Sequence, residues 1–381
     1  MPPSPREKLE KLEEIGLLPC AVRSSKSRGR EHQEPEHQTR TEFQRDRDRI
    51  VYSNAFRRLE YKTQVFPNHE GDHYRTRLTH TIEVANLTRT LCRNLGLNED
   101  FSECLALVHD IGHPPFGHIG ETVLNDLMKD HGGFEHNQQT YQIVTKLENS
   151  YTAYPGLNLT KEVLEAILQH TKNYRQAFPD AREPLLETRL VSITDEMAYN
   201  AHDLEDGLRS GILQEEDVLS LDIMEDIQEH PDFPKREDRV LRHRYLVRQV
   251  LNSMVLDFVD FSEKSLEKAN LPDHDSAHNA TDPILGFSES MSLRKTELEK
   301  FLRAKMYRHP KVMKMMNKSG YFLERVFQHF LKFPEELPEA FQERFDQKGK
   351  ERSVADYLAG MTDRFLQEEY IRLFVPFQKM L

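Results

Sequence analysis

An apolar helical stretch that ends on a histidine and an aspartate, and is stopped there by glycine and two prolines, constrains this chain more than any other feature. Residues 98–110 read NEDFSECLALVHD. Asn98 is a good N-cap, and Phe101, Leu105 and Val108 recur at the period of one helix face. His109 and Asp110 close the stretch, and Gly112, Pro114 and Pro115 prevent it from continuing. Burying an imidazole and a carboxylate among apolar neighbours is costly unless they pair or hold a metal. The turn that follows, HDIGHPPFGHIGE, can return His113, His118 and Glu121 to the same pocket.

The helical period dominates the rest of the chain. Leu78, Ile82, Ala85, Leu91 and Leu95 fall near one face of a helix over 78–95, and Gly96 is its stop. Further helices are expected from about 118 to 130, and over 135–149, 160–172 and 184–209. From about 240 to the C-terminus, helices are separated by proline or glycine. Strand-like alternation is scarce, so the expected fold class is all-α. Residues 21–49 carry eight Lys and Arg and no apolar period. They read mainly as a solvated arm, with a phosphate-contacting or subunit-bridging arm as the alternative. Residues 270–290 have turn composition. The expected organisation is an N-terminal arm, partly mobile, over 1–49; a catalytic core over 50–215; and a C-terminal helical region over 216–381 packed on that core.

Composition narrows the function. A net charge of −12 makes the chain an unpromising nucleic-acid binder as a whole, although local basic groups and metals still decide whether it takes polyphosphates. No apolar run is long enough to cross a bilayer, and the N-terminus has no hydrophobic signal core, so a cytoplasmic protein is expected. Cys20, Cys92 and Cys104 fit no zinc or CxxC spacing and read as core fillers. Eighteen histidines, several in one stretch, direct attention to metal ligands.

A divalent ion needs several convergent nitrogen and oxygen donors. His109 and Asp110 supply two. His80, in RTRLTH, supplies a third, and Asp195, in LVSITDEMAYNAHDLED, closes the set. Mixed imidazole and carboxylate ligands suit Mn, Fe, Zn, Ni or Mg. An HD dipeptide alone occurs by chance, and its weight comes from RLTH before it and TDEMAYNAHD after it. Glu121 lies three residues after His118, and Asp195, Tyr199 and Asp203 recur at i, i+4 and i+8, so each group shares a helix face.

These segments resemble the HD-domain superfamily, and specifically the deoxynucleoside-triphosphate triphosphohydrolases of the dGTPase family, shorter bacterial type. The likeness runs from about residue 40 onward. It is carried by RDRDRIVYSNAFRRLEYKTQVF at 45–66, GDHYRTRLTHTIEVANL at 71–87, the HD segment, FEHNQQT at 134–140, TDEMAYNAHDLEDG at 194–207 and VADYLAGMTDRF at 354–365. The resemblance implies hydrolysis of a dNTP, with dGTP among the candidates, to a deoxynucleoside and inorganic triphosphate. It implies His80, His109, Asp110 and Asp195 as metal ligands, and His118 with Glu121 as the catalytic His–carboxylate pair. It also implies that His113 and His136 face the triphosphate and that Arg77 contacts the phosphates. Tyr199 and Asp203 would lie near the sugar, and Gln64 would read a sugar hydroxyl. A homo-oligomer, often a hexamer, and an activating nucleotide at a separate site are implied as well. Each assignment has an ordinary competitor: Tyr199 as a core aromatic, Asp203 as an ion-pair partner of Arg209 or a neighbouring lysine, Gln64 as a polar edge. His131 and His202 are read as non-ligands. Two other functions compete. One is a different HD phosphohydrolase, a nucleotidase or phosphodiesterase, with the same H…HD…D core. The other is a single-stranded nucleic-acid binder with a relic site, using the basic arm near 23–49.

Overall fold

The computed structural model describes residues 2–64, 75–169, 171, 174, 184–234, 238–278 and 283–376. The fold is all-α. Among the described residues, extended pairing is limited to the isolated bridges Arg30–Thr160, Thr63–Thr76 and Asn149–Gly156. The principal helices in chain order are α1 (Pro5–Gly16), α2 (Glu42–Val51), α3 (Asn54–Arg58), α4 (Arg77–Leu95), α5 (Glu99–Val108), α6 (Gly117–Leu127), α7 (His136–Gln142), α8 (Lys161–Leu168), α9 (Leu186–Arg209), α10 (Arg239–Ala269), α11 (Glu289–Leu302), α12 (Pro310–Lys332), α13 (Lys350–Ala359) and α14 (Asp363–Phe374). Among the described residues, no helix is long and apolar enough to cross a membrane.

Local chemistry sets many of these boundaries. Asn98 Oδ1 accepts the backbone N–H of Phe101 at 3.0 Å, the cap expected for α5. Ser4 and Glu7 cap α1 reciprocally, with Pro5 in its first turn. Gly96, at φ +64°, ends α4. The helix expected over 135–149 keeps its α form only to Gln142 and then widens into a π turn over Ile143–Leu147. The stretch at 270–290 holds a short helix, His274–His278, and the N-cap Ser288 of α11, while 279–282 lie outside the described residues. The helix expected over 160–172 is α8, with residues 170 and 172 outside the described ones.

The chain divides into two compact units that it enters alternately. The first comprises Met1–Val51, His80–Leu107 and Asn158–His309, and the second Tyr52–Thr79, Val108–Leu157 and Pro310–Leu381. In the first, α9 packs along α10, and the Phe43 and Phe101 rings meet at 4.8 Å. In the second, α6, α13 and α14 pack on α12 around Phe116, Leu124, Met128, Phe134, Leu323, Val326, Phe327, Phe330, Val354 and Leu358.

Residues 21–49 are solvated only in part, with 31–33, 35–36 and 38–39 exposed and several charged residues inside. Arg23, Arg30, Arg45 and Asp46 are buried. Arg30 pairs with Asp46 and, at 2.8 Å, with Glu42, and it donates to the carbonyl of Asn158 at 2.7 Å. Asp46 in turn accepts the N–H of Thr160 at 3.0 Å and its hydroxyl at 2.6 Å. Arg45 and Arg49 share Glu34. Charges can enter the interior when each finds a partner, and the acids interspersed among these arginines provide one. The three cysteines are buried, as expected of core fillers.

Candidate active site

The boundary between the units passes through α4 after Thr79 and through α5 after Leu107. Gln64, Arg77, His109, Asp110, His113, His118, Glu121 and His136 therefore belong to the second unit, and His80, Asp195, Tyr199 and Asp203 to the first.

In the second unit the broken helix end expected from the sequence is realised. After α5 the chain turns through Asp110–Pro115 and restarts as α6 at Gly117. Gly112 is required at this turn. A Cβ there would lie 2.1 Å from the carbonyl oxygen of His136 and 2.3 Å from the amide of Thr140, so only glycine lets α7 come this close. Its own N–H donates to Thr140 Oγ1 at 3.0 Å. The turn and α7 thereby gather the histidines. The His113 and His136 rings stack at 3.9 Å between centroids, and His118 meets His113 edge-on at 5.7 Å. His113, His118 and Glu121 each offer a ligand atom, and these atoms lie within 4.8 Å of one another. Glu121 accepts both the backbone N–H of His136, at 2.8 Å, and a contact from its Nδ1 at 2.9 Å.

Asp110 anchors the other side. Its carboxylate lies 2.8 Å from Arg77 Nη1, 2.9 Å from His113 Nδ1 and 3.5 Å from His109 Nε2. Burial opposes its charge, but Arg77, His109 and His113 outweigh burial and hold its carboxyl well below the usual carboxylate range. The same burial, with Arg77 and His136, pushes His113 well below an ordinary imidazole. His118 is exposed as a residue, yet desolvation of its ring and the charge of Arg77 lower it too. Glu121 is pulled down to about 2, because its bonds and charge contacts to His136 and the charge of His113 overcome the cost of burial. Arg77 is 1% exposed, and its Nε and Nη2 have no hydrogen-bond acceptor among the described residues. A buried cationic donor without an acceptor is costly unless a ligand supplies one. Gln64 is buried with its amide oxygen unpartnered among the described residues, and the segment 65–74 that follows lies outside them.

In the first unit, His80 projects from α4 and Asp195 from α9, and His80 Nε2 lies 2.9 Å from Asp195 Oδ1. The other ring nitrogen of His80 is 3.1 Å from His202 Nδ1, and His202 Nε2 pairs with Glu83. A histidine beside a carboxylate, with its far nitrogen held by a second group, is the arrangement that orients imidazole ligands of divalent ions. His202 is thus a partner of a candidate ligand, a role its sequence context did not suggest. Further along α9, the Tyr199 hydroxyl bonds to that of Tyr307, and Tyr307 donates to Asp203. The two phenol rings are parallel, with centroids 6.4 Å apart. Arg209, the expected alternative partner of Asp203, pairs with Glu205 at 2.9 Å. Tyr307 was missed from the sequence, where it is one aromatic in RAKMYRHP with nothing to set it apart.

Comparison with known proteins fits this chemistry. The HD domain family matches residues 77–200, which contain all four candidate metal ligands, and the phosphohydrolase-associated domain matches residues 285–372. A deoxyguanosinetriphosphate triphosphohydrolase-like protein of Geobacter sulfurreducens is 42% identical over 98% of this chain and 99% of its own length. Proteins of the same description from Thiobacillus denitrificans and an Azoarcus species are each 44% identical, over 95% and 94% of this chain and 98% and 97% of their own. A solved structure of a hypothetical protein from Aquifex aeolicus aligns with 80% of this chain and 78% of its own at 18% identity and a TM-score of 0.31, too slight a likeness to carry an argument. The chain belongs to the deoxyguanosinetriphosphate triphosphohydrolase-like proteins, a family of HD-domain, metal-dependent phosphohydrolases.

Proposed function

We propose that the protein hydrolyses deoxynucleoside triphosphates, dGTP or a broader set, to the deoxynucleoside and inorganic triphosphate. The observation that carries this reading is the second unit's cluster of cationic and imidazole donors, of which Arg77 and His113 are buried. Two nitrogens of Arg77 have no acceptor among the described residues, and His113, His118 and His136 gather round Glu121. Such a group suits a polyanion better than a neutral substrate. The descriptions of the relatives as deoxyguanosinetriphosphate triphosphohydrolase-like support the same substrate class.

His80, Asp195, His109 and Asp110 are the residues we assign to one divalent ion, whether Mn, Mg, Fe, Zn or Ni. All four lie within the HD match, and His–carboxylate sets of this kind suit such ions. When bound, the ion supplies Lewis-acid polarisation of a phosphoryl oxygen and a more acidic water. The remaining roles fall to the chain. Arg77, His113 and His136 bind the phosphates and offset their charge. Water adds to the α-phosphorus and the bond to the 5′-oxygen breaks. Inorganic triphosphate keeps all three phosphorus atoms, and the deoxynucleoside leaves with a proton on its 5′-oxygen. His118, tuned by Glu121, moves that proton. Tyr199 lies under the deoxyribose and leaves no room for a 2′-hydroxyl, Asp203 lies near the sugar, and Gln64 reads a sugar hydroxyl. On this reading the enzyme is a cytoplasmic homo-oligomer, and an activating nucleotide at a separate site belongs to the same proposal.

The test is product analysis. Purified protein is incubated with each dNTP and rNTP, and with dNTP mixtures, with Mn, Mg or Fe, and products are separated by anion exchange beside Asp110→Ala. The expected result is deoxynucleoside plus intact triphosphate from dNTPs, poor turnover of rNTPs, and loss of at least a hundredfold in the variant. Orthophosphate would replace this reading with a nucleotidase. No turnover of any mixture, together with salt-dependent binding of single strands, would replace it with a binding protein.

A further inference from the structure

Two buried charged side chains outside the HD motif tie the catalytic turn to the C-terminal helices of the same unit. Lys62 is buried, and its ammonium donates to the carbonyl of His113 at 2.6 Å and to that of Ala359, the last residue of α13, at 2.9 Å. Asp363, the first residue of α14, is buried as well. One of its oxygens accepts the N–H of Phe116 at 2.9 Å, and the other accepts the N–H of Thr63 at 2.9 Å and the Thr63 hydroxyl. Residues 62–63 and 359–363 therefore hold each other, and both hold the turn 113–116.

The point they hold is a strained one. Phe116 has φ +64°, a left-handed conformation unfavourable for a bulky residue, and Gly117 follows at φ +57°. That pair starts α6, which carries His118 and Glu121. The Phe116 N–H would otherwise be an unsatisfied buried donor, since α6 has no side-chain cap of its own. Gly117 also leaves room for other site residues. A Cβ there would lie 2.8 Å from Arg77 Nη2, 3.3 Å from the Thr63 carbonyl and 3.4 Å from that of Gln64. The turn, Arg77 and the Thr63–Gln64 segment thus share one packed locus, and Asp363 bonds two of its three parts.

We infer that Lys62 and Asp363 are positioning residues of the reaction. They fix the His113–His118 turn and the Thr63–Gln64 segment in one register, so that the phosphate-facing histidines and the sugar-reading glutamine meet the substrate together. The substrate in this statement rests on the proposed dNTP reading, whereas the positioning itself does not. The chemistry explains why a carboxylate is needed. Three donors converge on Asp363, and the amide of an asparagine would direct its NH2 at one or more of them.

The experiment uses the full chain with Asp363→Asn, Lys62→Met and, as a milder probe, Thr63→Val, which removes one of the hydrogen bonds to Asp363. Steady-state kinetics with a dNTP, normalised to folded protein, are measured with amide hydrogen exchange at Phe116 and calorimetric binding of inorganic triphosphate. For Asp363→Asn the expected result is a fall of at least tenfold in kcat with a smaller change in KM. Exchange at Phe116 should rise at least tenfold while Val326 in α12 stays protected. A purely structural role would lower the folded fraction and leave kcat per folded molecule unchanged, and that outcome overturns the inference, as does wild-type protection at Phe116. If the wild type releases no triphosphate from dNTPs, the substrate reading falls alone. The inference is then decided by Phe116 exchange and by triphosphate binding, where weakening of at least tenfold sustains it and equal binding overturns it. If Asp363→Asn fails to fold, Thr63→Val decides in the same direction with a smaller effect.

Discussion

Glu121 sits among imidazoles, with His136 bonded to it, His113 and His118 within a few ångströms, and the carboxylate of Glu135 as the like charge nearby. Its carboxyl falls from an ordinary 4.5 to about 2. A depressed carboxylate contributes stability that is present above its unfolded value and is lost as pH falls through the folded one. Glu121→Gln should therefore be less stable than wild type at neutral pH, and the gap should close between pH 4.5 and about 2. Urea unfolding at stepped pH checks this, and a gap that stays constant down to pH 2 would refute the assignment. His202 makes a second prediction at this scale. It holds the far nitrogen of His80 and is held by Glu83, so His202→Ala should weaken divalent-metal binding about 10- to 100-fold by freeing the ligand ring. Metal titration by calorimetry reads this directly, and unchanged affinity would mean His80 needs no such support. Histidines and acids crowded into short segments were legible from the sequence because chemistry and spacing coincide there. Lys62, His202, Tyr307 and Asp363 were not. Their meaning comes from partners 51, 122, 104 and 247 residues away, at His113, His80, Asp203 and Phe116.

At the scale of elements, helix ends were legible where a cap or a breaker marks them. Asn98 starts α5 and Gly96 ends α4, as their residue types require. The π turn after α7 and the buried arginines Arg23 and Arg30 before α2 were not, because each is decided by tertiary partners rather than by local preference. The tight approach of α7 to the turn at Gly112 gives a direct test. Gly112→Ala would place a methyl 2.1 Å from a backbone carbonyl that cannot swing away as a side-chain tip would. Overpacking of this kind costs about 1–3 kcal/mol, and relief requires α7 to move back with His136 on it. The expected outcome is a lower urea midpoint together with lost stacking of His136 on His113, and hence lost turnover in the folded fraction. Full activity in a merely destabilised variant would show that His136 is not held by this contact.

The whole molecule is woven rather than strung. The chain enters each unit three times, so neither unit is a continuous stretch of sequence. Nothing in local composition announces this, because the bonds that close the second unit, such as Asn54 to Glu148 and Thr63 to Asp363, join residues 94 and 300 positions apart. Helical class was readable without them, since it depends on period alone, whereas the assignment of helices to units depends on which apolar faces meet. The consequence can be measured by truncation. In the second unit, Leu323, Val326, Phe327, Phe330, Leu337, Val354 and Leu358 come from beyond residue 309, and they cover Phe116, Leu124, Met128 and Phe134. At about 1.5–3 kcal/mol for each fully buried apolar side chain, the loss of those seven is of the order of 10 kcal/mol or more, as large as the whole stability of a typical domain. A chain ending at His309 should therefore lose protection of the α6 amides entirely, and with it His118 and Glu121 as an ordered pair. Amides of α9 and α10 in the first unit, which pack on each other, should keep theirs. Hydrogen exchange followed residue by residue separates the two. Persistent protection of α6 in the truncated chain would mean that the 108–157 segment folds without its C-terminal cover, and that the second unit is not the cooperative body its shared core implies.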